Sequence, residues 1–324
     1  KKNKLGRTNL EISEITLGGG WVGGLFIDAE YKVMENAIEL ALDRGINWID
    51  TAESYSEGVS EKNIGMLLDC LNPNEKIYVS SKARLDPQSS ETFESQIDRK
   101  LDNSLKRLKL DQLNLYQLHN KITLEKGSET LTEKEVLEAN GLAEIMLKLK
   151  EDQRVQNIGI TALGDTNSIK NVLETGYFDT AQVYYNLLNP SVEFEEADAW
   201  NDHDFSGLIS VCNKHKMGVL GIRVFAAGLL ATDIRHGREI PVTNVINIEE
   251  EERRAHKLSE LVGENYGNRA QYALRYGLSS KNINSIVIGM ATLEHLKNSI
   301  EAVEMGPLPA SLLKDISELQ QATF

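Results

Sequence analysis

The sequence predicts an α/β protein in which eight strands, each followed by a helix, close into a (β/α)8 barrel, also called a TIM barrel. Short strand-like apolar runs alternate with stretches of helical periodicity along the chain. Eight such units fit a chain of 324 residues, whereas a doubly wound sheet usually has about six strands. Because no low-complexity linker or composition shift divides the chain, we expect one domain over residues 1–324.

A small hairpin is predicted before the first barrel strand. Apolar and polar residues alternate over residues 4–17 around Thr8-Asn9, which is typical of two short strands joined by a turn. The first barrel strand is predicted at residues 14–18 and the first helix at residues 30–44. Gly45 is a suitable residue to end that helix.

The other seven units repeat this order of strand and helix. Each predicted strand is a short apolar run, and each predicted helix carries apolar residues three or four positions apart. The predicted strands are residues 46–50, 77–81, 113–119, 155–161, 180–185, 218–222 and 283–288. The predicted helices are residues 61–71, 91–108, 133–150, 166–175, 204–214, 268–276 and 293–304.

Two connections are much longer than the others. Residues 120–140 follow the fourth strand, and residues 228–248 follow the seventh and precede an additional helical run over residues 249–263. Long connections in a compact domain are usually functional segments. We therefore expect extended loops over the C-terminal rim of the barrel.

A glycine motif near the start offers an alternative fold. The segment from Gly18 to Gly23 satisfies G-x-G-x-x-G after a predicted strand, and Asp50 closes the next strand, as in a Rossmann dinucleotide site. That mechanism requires a helix to open on the glycines, so that its N-terminus faces the pyrophosphate. Here residues 25–27 intervene before helical periodicity begins, so we favour a loop beside the site.

Charge and cysteine content exclude several classes of function. The chain has 35 basic and 49 acidic side chains, a net charge of -14, which disfavours nonspecific binding to nucleic acid or to an anionic membrane. Its cysteines, Cys70 and Cys212, have neither metal-site nor redox spacing, which fits a reducing compartment. No apolar run approaches the length of a membrane span. We expect a cytoplasmic protein, and both a monomer and a homo-oligomer remain open.

Four polar residues lie at or just after the ends of three consecutive predicted strands. They are Asp50, Tyr55, Lys82 and His119. Each one alone is more often structural, as a turn cap, a surface aromatic, a solvated charge or a core histidine. Because parallel strands of a barrel end at one rim, we expect all four to meet in one cleft.

This combination suits proton transfer during carbonyl reduction by a nicotinamide cofactor. A tyrosine can donate the proton, but its unperturbed pKa of about 10 is high for work near neutrality. A neighbouring lysine ammonium favours the phenolate, and a carboxylate holds the lysine charged and in place. A neutral histidine can orient the carbonyl by hydrogen bonding. Clustered metal ligands would indicate a metal-dependent lyase, and a G-x-S-x-G elbow would indicate a hydrolase. The sequence shows neither motif.

The sequence resembles the aldo-keto reductase family over nearly the whole chain. The resemblance is carried by LGRTNLEIS at residues 5–13, GINWIDTA at 45–52, Ser81-Lys82, Leu118-His119, and AQVYYNLL at 181–188. It implies a barrel that binds an extended nicotinamide dinucleotide at its rim. A looser resemblance to the sugar and aldose dehydrogenase branch implies a small aldehyde, aldose or related sugar as substrate.

The resemblance also implies a role for each site residue. Tyr55 is the general acid or base, Lys82 and Asp50 tune it, and His119 positions the carbonyl of the substrate. Gln182 matches the residue that hydrogen-bonds the nicotinamide carboxamide. Gly20 and Trp21 match the loop near the nicotinamide ribose and the substrate pocket.

Two departures from the family pattern lie among the expected cofactor contacts. The usual Ser-Asn pair is Thr161-Ala162, which keeps the hydroxyl and loses the amide. Ile222 stands where a tyrosine often stacks on the nicotinamide, and Arg223 is expected to reach the pyrophosphate. Gly228 closes this cofactor-binding stretch.

The segment after the last strand is expected to hold the adenosine end of the cofactor. Its contacts are expected from Gly289, Thr292, His295 and Ser299. Family members that select the 2′-phosphate of NADP(H) usually place lysine or arginine here, because a dianion needs cationic donors. The absence of lysine and arginine from residues 289–296 favours NAD(H) over NADP(H).

The sequence therefore predicts an NAD(P)(H)-dependent oxidoreductase acting on a small-molecule carbonyl or sugar substrate, with no nucleic-acid or membrane partner. The alternative is a nicotinamide-binding regulatory subunit without significant turnover. The intact set of four residues favours the enzyme.

Overall fold

The computed structural model of the protein describes residues 1–71, 77–196, 203–234, 237 and 247–323. Within these residues, eight parallel strands form a closed barrel, in the order β3-β4-β5-β6-β9-β10-β11-β12. The strands are β1 (Lys2–Lys4), β2 (Glu11–Ser13), β3 (Ile15–Gly18), β4 (Trp48–Asp50), β5 (Tyr78–Ala83), β6 (Leu115–Leu118), β7 (Lys121–Thr123), β8 (Thr130–Thr132), β9 (Ile158–Ala162), β10 (Thr180–Tyr184), β11 (Gly218–Ile222) and β12 (Ser285–Gly289). The predicted barrel is confirmed.

Helices surround the barrel and connect its strands. They are α1 (Leu25–Asp28), α2 (Tyr31–Asp43), α3 (Val59–Leu71), α4 (Phe93–Leu108), α5 (Glu133–Leu137), α6 (Leu142–Glu151), α7 (Thr166–Glu174), α8 (Leu208–Lys214), α9 (Ile248–Val262), α10 (Arg269–Gly277), α11 (Leu293–Met305) and α12 (Ala310–Thr323). None of the helices in the described part of the chain is long and apolar enough to span a membrane.

The predicted N-terminal hairpin is formed by β1 and β2, which pair antiparallel from Lys2 opposite Ser13 to Lys4 opposite Glu11. Its apolar side chains lie in a small cluster with inward-facing residues of the barrel strands. The cluster contains Leu5, Leu10, Ile12, Trp48, Leu115 and Leu220, all buried. The hairpin therefore closes the N-terminal end of the barrel, and the C-terminal rim is left for the candidate site.

The glycine segment is explained by close packing. A Cβ on Gly23 would lie 2.4 Å from the backbone nitrogen of Met290, just beyond β12. Helical structure was expected to begin at residue 30, but the short helix α1 forms one turn before it, at Leu25–Asp28. Gly24 precedes this turn with a φ of 75°, a conformation that suits glycine. Gly20 lies beside the candidate site, since a Cβ there would be 3.8 Å from the Tyr55 ring. The closed barrel rules out the Rossmann alternative.

The segment 120–150 departs most from the predicted elements. Part of the long loop forms the parallel pair β7 and β8. The single helix predicted at 133–150 is wrong, because the chain breaks between α5 and α6, where Glu138 is extended and Asn140 has a φ of 60°. The C-terminal helix α12 was not predicted. In the other long loop, residues 235–236 and 238–246 lie outside the described residues.

Candidate active site

A buried ion pair forms the centre of the candidate site. Asp50 ends β4, and Lys82 lies near the end of the neighbouring strand β5. Lys82 donates from Nζ to Asp50 Oδ2 at 2.5 Å, and the two side chains are 1% and 4% exposed. Removing either partner would leave an uncompensated charge in the barrel, so the two groups depend on each other.

Further donors orient the Asp50 carboxylate. Ser80 Oγ donates to Oδ1 at 2.7 Å, and Gln182 Nε2 donates to the same oxygen at 2.8 Å. Gln117 Nε2 lies 3.4 Å from it. Sequence reasoning missed Ser80 and Gln117, although each precedes a predicted site residue by two positions and so faces the same side of its strand.

Tyr55 is the second side chain that Lys82 contacts. Lys82 Nζ donates to the phenolic oxygen at 3.2 Å and to the backbone oxygen of Thr51 at 2.8 Å. The ammonium also lies 4.9 Å from the centre of the Tyr55 ring. One cation thus bridges a carboxylate and a phenol, so it can stabilise negative charge on the phenolic oxygen as that oxygen gives up its proton.

The surroundings of Lys82 keep it charged. Burial acts to lower its pKa, but the charge of Asp50 and the hydrogen bonds to Asp50 and Tyr55 outweigh burial, so the pKa of Lys82 lies above its ordinary value. The bridging group is therefore an ammonium throughout the neutral pH range.

His119 follows β6 and faces Tyr55. Its ring is edge-on to the tyrosine, with ring centres 5.6 Å apart, and its Nδ1 lies 3.2 Å from Ser54 Oγ. Burial lowers the pKa of His119 well below its ordinary value, and the charges of Lys82, Arg84 and Arg223 lower it further. The imidazole is therefore neutral and suited to hydrogen bonding with an uncharged carbonyl.

The lowered pKa of His119 predicts a measurable acid sensitivity. As pH falls below about 6.5, the unfolded chain binds a proton at this residue and the folded protein does not, so stability falls by up to about 1.4 kcal/mol per pH unit. His119→Gln should remove this part of the pH dependence. Urea unfolding of both proteins between pH 5 and pH 7.5, at roughly half-unit steps, measures it. The control is His256→Gln, which replaces an exposed histidine and should leave the pH dependence of the unfolding free energy unchanged. The same pH dependence in the wild-type protein and in His119→Gln would contradict a lowered pKa at His119.

The loop that carries Tyr55 has an unusual backbone. Ser56, Glu57 and Gly58 all have positive φ angles, of 50°, 53° and 85°. A Cβ on Gly58 would lie 2.5 Å from Nε of Arg107 on α4. Left-handed conformations at non-glycine residues persist where the surrounding structure enforces them. The close approach of Arg107 leaves no room for a side chain at residue 58.

An ion pair with a fully buried carboxylate lies at the start of α3, directly after this loop. Glu61 is fully buried and accepts a hydrogen bond from Arg107 Nε at 2.6 Å. Its other oxygen accepts from the hydroxyl of Ser81, the neighbour of Lys82. Glu61 and Arg107 therefore connect the Tyr55 loop to the strand that carries the lysine.

Arg107→Met should destabilise the protein by roughly 3 kcal/mol, because it leaves Glu61 buried without its cation. Urea unfolding measures this free energy. Arg99→Met is the matched control, because Arg99 lies on the same helix, is 53% exposed, and pairs at the surface with Glu91, which precedes that helix. Its loss should cost less than about 1 kcal/mol. Equal losses of unfolding free energy in the two variants would show that the pair of Glu61 and Arg107 stabilises the protein no more than a surface ion pair does.

The expected nicotinamide contacts lie around the same rim. Thr161 on β9 is the register partner of Gln182 on β10, and its buried hydroxyl has no hydrogen-bond partner within the described ranges. Trp21 is 37% exposed in the loop after β3. Gln182 donates its amide hydrogen to Asp50, a contact that the resemblance did not suggest. Together with Gln117 Oε1, the Thr161 hydroxyl is a buried polar atom of this site that a ligand could still satisfy.

The segment after β11 reaches the rim from the opposite side. Ile222 ends the strand and is half-buried. Arg223 follows with a φ of 64°, and its backbone oxygen accepts from Asn186 Nδ2 at 3.0 Å. Gly228 has a φ of 108°, with open space beside it. Ile222 and Arg223 thus lie at the mouth of the barrel, as their position after the seventh strand predicts.

The expected adenosine contacts lie at the end of β12 and in the first two turns of α11. Gly289 is exposed at the end of β12. Thr292 caps the helix by accepting from the backbone nitrogen of His295 at 3.2 Å, and Ser299 donates to the backbone oxygen of His295 at 2.9 Å. These hydroxyls support the helix itself. No cluster of three or more metal-ligating side chains occurs among the residues that the structure describes.

Comparison with known proteins gives consistent results. The profile of the aldo/keto reductase family matches residues 14–321. The chain is 25% identical to L-galactose dehydrogenase of Arabidopsis thaliana over 301 residues, covering 92% of this chain and 86% of that protein. It is 24% identical to the NADH-specific methylglyoxal reductase of Escherichia coli (strain K12) over 344 residues, covering 98% of each. Its fold is similar to that of an aldo-keto reductase from Bacillus halodurans in its holo form, with a TM-score of 0.75, 22% identity, and coverage of 98% and 96% of the two chains.

Proposed function

The chain belongs to the aldo/keto reductase family, and on that premise we propose that it transfers hydride between a nicotinamide dinucleotide and a small carbonyl or alcohol substrate. Tyr55 is the general acid in reduction and the general base in oxidation. The observation that carries this proposal is the position of Lys82 Nζ, which contacts Asp50 Oδ2 at 2.5 Å and the phenolic oxygen of Tyr55 at 3.2 Å.

The proton-transfer half of the reaction follows from these residues. In reduction, the neutral imidazole of His119 orients the substrate carbonyl by a hydrogen bond. Tyr55 then donates its proton to the carbonyl oxygen as negative charge develops there. The ammonium of Lys82 stabilises the phenolate that remains, and Asp50 balances the charge of Lys82.

The cofactor, when bound, supplies or accepts the hydride. We propose that Thr161, Gln182, Ile222 and Gly20 hold its nicotinamide end, and that Thr292, His295 and Ser299 lie near its adenosine end. The hydroxyl of Thr161 supports the first group, because it has no partner in the part of the chain that the structure describes and a buried polar atom usually has one.

NAD(H) is the proposed cofactor in preference to NADP(H). A 2′-phosphate needs cationic donors, and the nearest lysine on α11, Lys297, lies 3.6 Å from Glu294 in an ion pair on the same helix. The name of the Escherichia coli relative, NADH-specific methylglyoxal reductase, supports the same preference.

The proposed substrate is a small aldehyde, aldose or related sugar. The Arabidopsis relative named L-galactose dehydrogenase supports a sugar, and the Escherichia coli relative supports a small dicarbonyl compound. One name describes oxidation of an alcohol and the other reduction of a carbonyl, so turnover is to be measured in both directions.

Titration of the purified protein with NADH and with NADPH, each followed by fluorescence, tests cofactor binding. Absorbance assays with aldehydes, aldoses and lactol sugars, in both directions, then test turnover. We expect tighter binding of NADH and turnover of at least one substrate. Binding of neither cofactor would refute the proposal, and binding without any turnover would favour a regulatory subunit.

A further inference from the structure

The Tyr55 loop, residues 51–58, is flanked by two carboxylates that each form an ion pair with α4. Glu53 lies before Tyr55 and pairs with Lys100 at 2.7 Å, and both side chains are 17% exposed. Glu61 lies after Tyr55, at the start of α3, and pairs with Arg107 at 2.6 Å. The proton transfer described above uses neither pair directly.

Both cations come from the same side of α4. Arg107 follows Lys100 by seven positions in this helix, which is about two helical turns. Side chains at this spacing lie on one face of a helix. The helix also lies close to α3, because a Cβ on Gly65 of α3 would be 2.2 Å from the backbone oxygen of Arg107. One face of α4 therefore contacts the chain on both sides of Tyr55.

The same two carboxylates also contact the strand that carries Lys82. The hydroxyl of Ser81 donates to Glu61, and the backbone nitrogen of Arg84 donates to Glu53 at 3.1 Å. Ser81 and Arg84 lie on either side of Lys82, at the end of β5. Each carboxylate thus joins α4 to β5, and the two junctions flank the lysine.

The conformation of the loop makes its end contacts important. Thr51 and Ser60 are buried, and their hydroxyl oxygens lie 2.8 Å apart, so they close the base of the loop. Within it, Ser56 and Glu57 have positive φ angles of 50° and 53°. A strained turn of this kind persists where the surrounding structure holds it. The position of Tyr55 therefore depends on how the two ends of the loop are held.

Proton transfer at Tyr55 is sensitive to small displacements. Its phenolic oxygen lies 3.2 Å from Lys82 Nζ, which is the upper end of the normal range for a hydrogen bond. A displacement of about 1 Å at a reacting group can lower a rate by roughly a hundredfold. Each ion pair with α4 sums to zero charge, so it acts on Tyr55 mainly through position.

We propose that Lys100 and Arg107 are positioning residues for the proton transfer. They hold the two carboxylates that flank Tyr55, and these carboxylates hold the loop against β5. The arrangement sets the distance between the phenolic oxygen and Lys82 Nζ. This inference rests on the proposed function and adds to it two residues from a helix outside the barrel.

The test compares Lys100→Met and Arg107→Met with Arg99→Met, which removes a surface cation from the same helix. Each variant is assayed for kcat, for KM of the best substrate, for the dissociation constant of NADH, and for the solvent deuterium isotope effect on kcat. We expect the first two variants to lower kcat by about tenfold or more and to change KM and NADH affinity by less than about threefold. The isotope effect should increase, because proton transfer becomes slower. Arg99→Met should change none of these quantities.

Two further variants distinguish positioning from stability. Lys100→Arg should keep kcat within about threefold of the wild-type value, because a guanidinium can still donate to Glu53. Arg107→Met combined with Glu61→Gln leaves no unpaired buried charge, so it should recover unfolding free energy relative to Arg107→Met alone. Its kcat should stay low, because the contact with α4 is still absent. Recovery of kcat together with stability would overturn the inference.

Other outcomes separate this inference from the proposed function. Wild-type kcat in both Lys100→Met and Arg107→Met would overturn the inference and leave the oxidoreductase intact. Equal losses of kcat and NADH affinity would also overturn it, since they indicate a general distortion of the site. Absence of turnover in the wild-type protein, with every carbonyl and either cofactor, would refute the proposed function and this inference with it. Lys100→Met decides alone where Arg107→Met does not fold, because the pair of Lys100 and Glu53 is partly exposed and its loss costs less stability.

Discussion

Tyr55→Phe is expected to retain cofactor binding and to lose about a thousandfold in kcat, which is typical for the loss of a positioned general acid. The substitution removes one hydroxyl and keeps the ring, which packs edge-on against His119 with ring centres 5.6 Å apart. Neither the barrel nor the ion pair of Lys82 and Asp50 depends on that hydroxyl. The measurements are the dissociation constant for NADH and the steady-state rate with the best substrate.

Tyr177→Phe is the control for this experiment, because Tyr177 precedes β10 at the opposite end of the barrel. It should retain both binding and turnover. Retained turnover in Tyr55→Phe would place the proton donor elsewhere. Equal loss of binding and turnover would indicate a structural effect of the substitution.

Lys82→Met is expected to lose both activity and stability. Turnover should fall at least as far as in Tyr55→Phe, because the phenolate formed at Tyr55 no longer has an adjacent cation. Asp50 would remain buried without its counter-charge, which should cost roughly 3–5 kcal/mol of unfolding free energy. Kinetics and urea unfolding measure the two effects separately.

The double variant Lys82→Met with Asp50→Asn distinguishes two effects: the loss of stability caused by an unpaired buried charge, and the loss of activity caused by removing Lys82. Removing both charges should recover much of the lost stability, because the amide can still accept hydrogen bonds from Ser80 and Gln182 and carries no charge. Activity should remain lost. Recovery of activity together with stability would mean that Lys82 supports the fold and plays no part in the reaction.

The barrel was predictable because its pattern is local. The ends of β4, β5 and β6 were visible as apolar runs that stop at Asp50, at Lys82 and before His119. Parallel strands that close into a barrel bring such ends to one rim. The convergence of these side chains with Tyr55 therefore required no knowledge of individual contacts.

The details that depend on distant residues were not predictable. The contact between Arg107 and Glu61 joins two helices, and no local pattern marks it. The break between α5 and α6 includes the extended Glu138 and the left-handed Asn140, which precedes Gly141; this Asn-Gly pair is a local turn signal that the predicted helix ran through. The hydrogen bond from Gln182 to Asp50 crosses the barrel interior between residues 132 positions apart.

The roles of the cofactor-binding residues remain predictions, and the structure supports them unequally. Thr161 has a buried hydroxyl without a partner in the described chain, which suits a ligand contact. Thr292 and Ser299 already hydrogen-bond within α11. The resemblance pointed to all three by their positions in the sequence, whereas their hydrogen bonds could be identified only in the folded chain.

Isotope transfer tests the central claim most directly. NADH deuterated at the reactive C4 position is incubated with the wild-type protein and a carbonyl substrate, and the alcohol product is analysed by mass spectrometry. Hydride transfer predicts one deuterium on the carbinol carbon of the product, with the hydroxyl proton coming through Tyr55 from solvent. An alcohol product without deuterium, from either C4 epimer of the cofactor, would contradict the account.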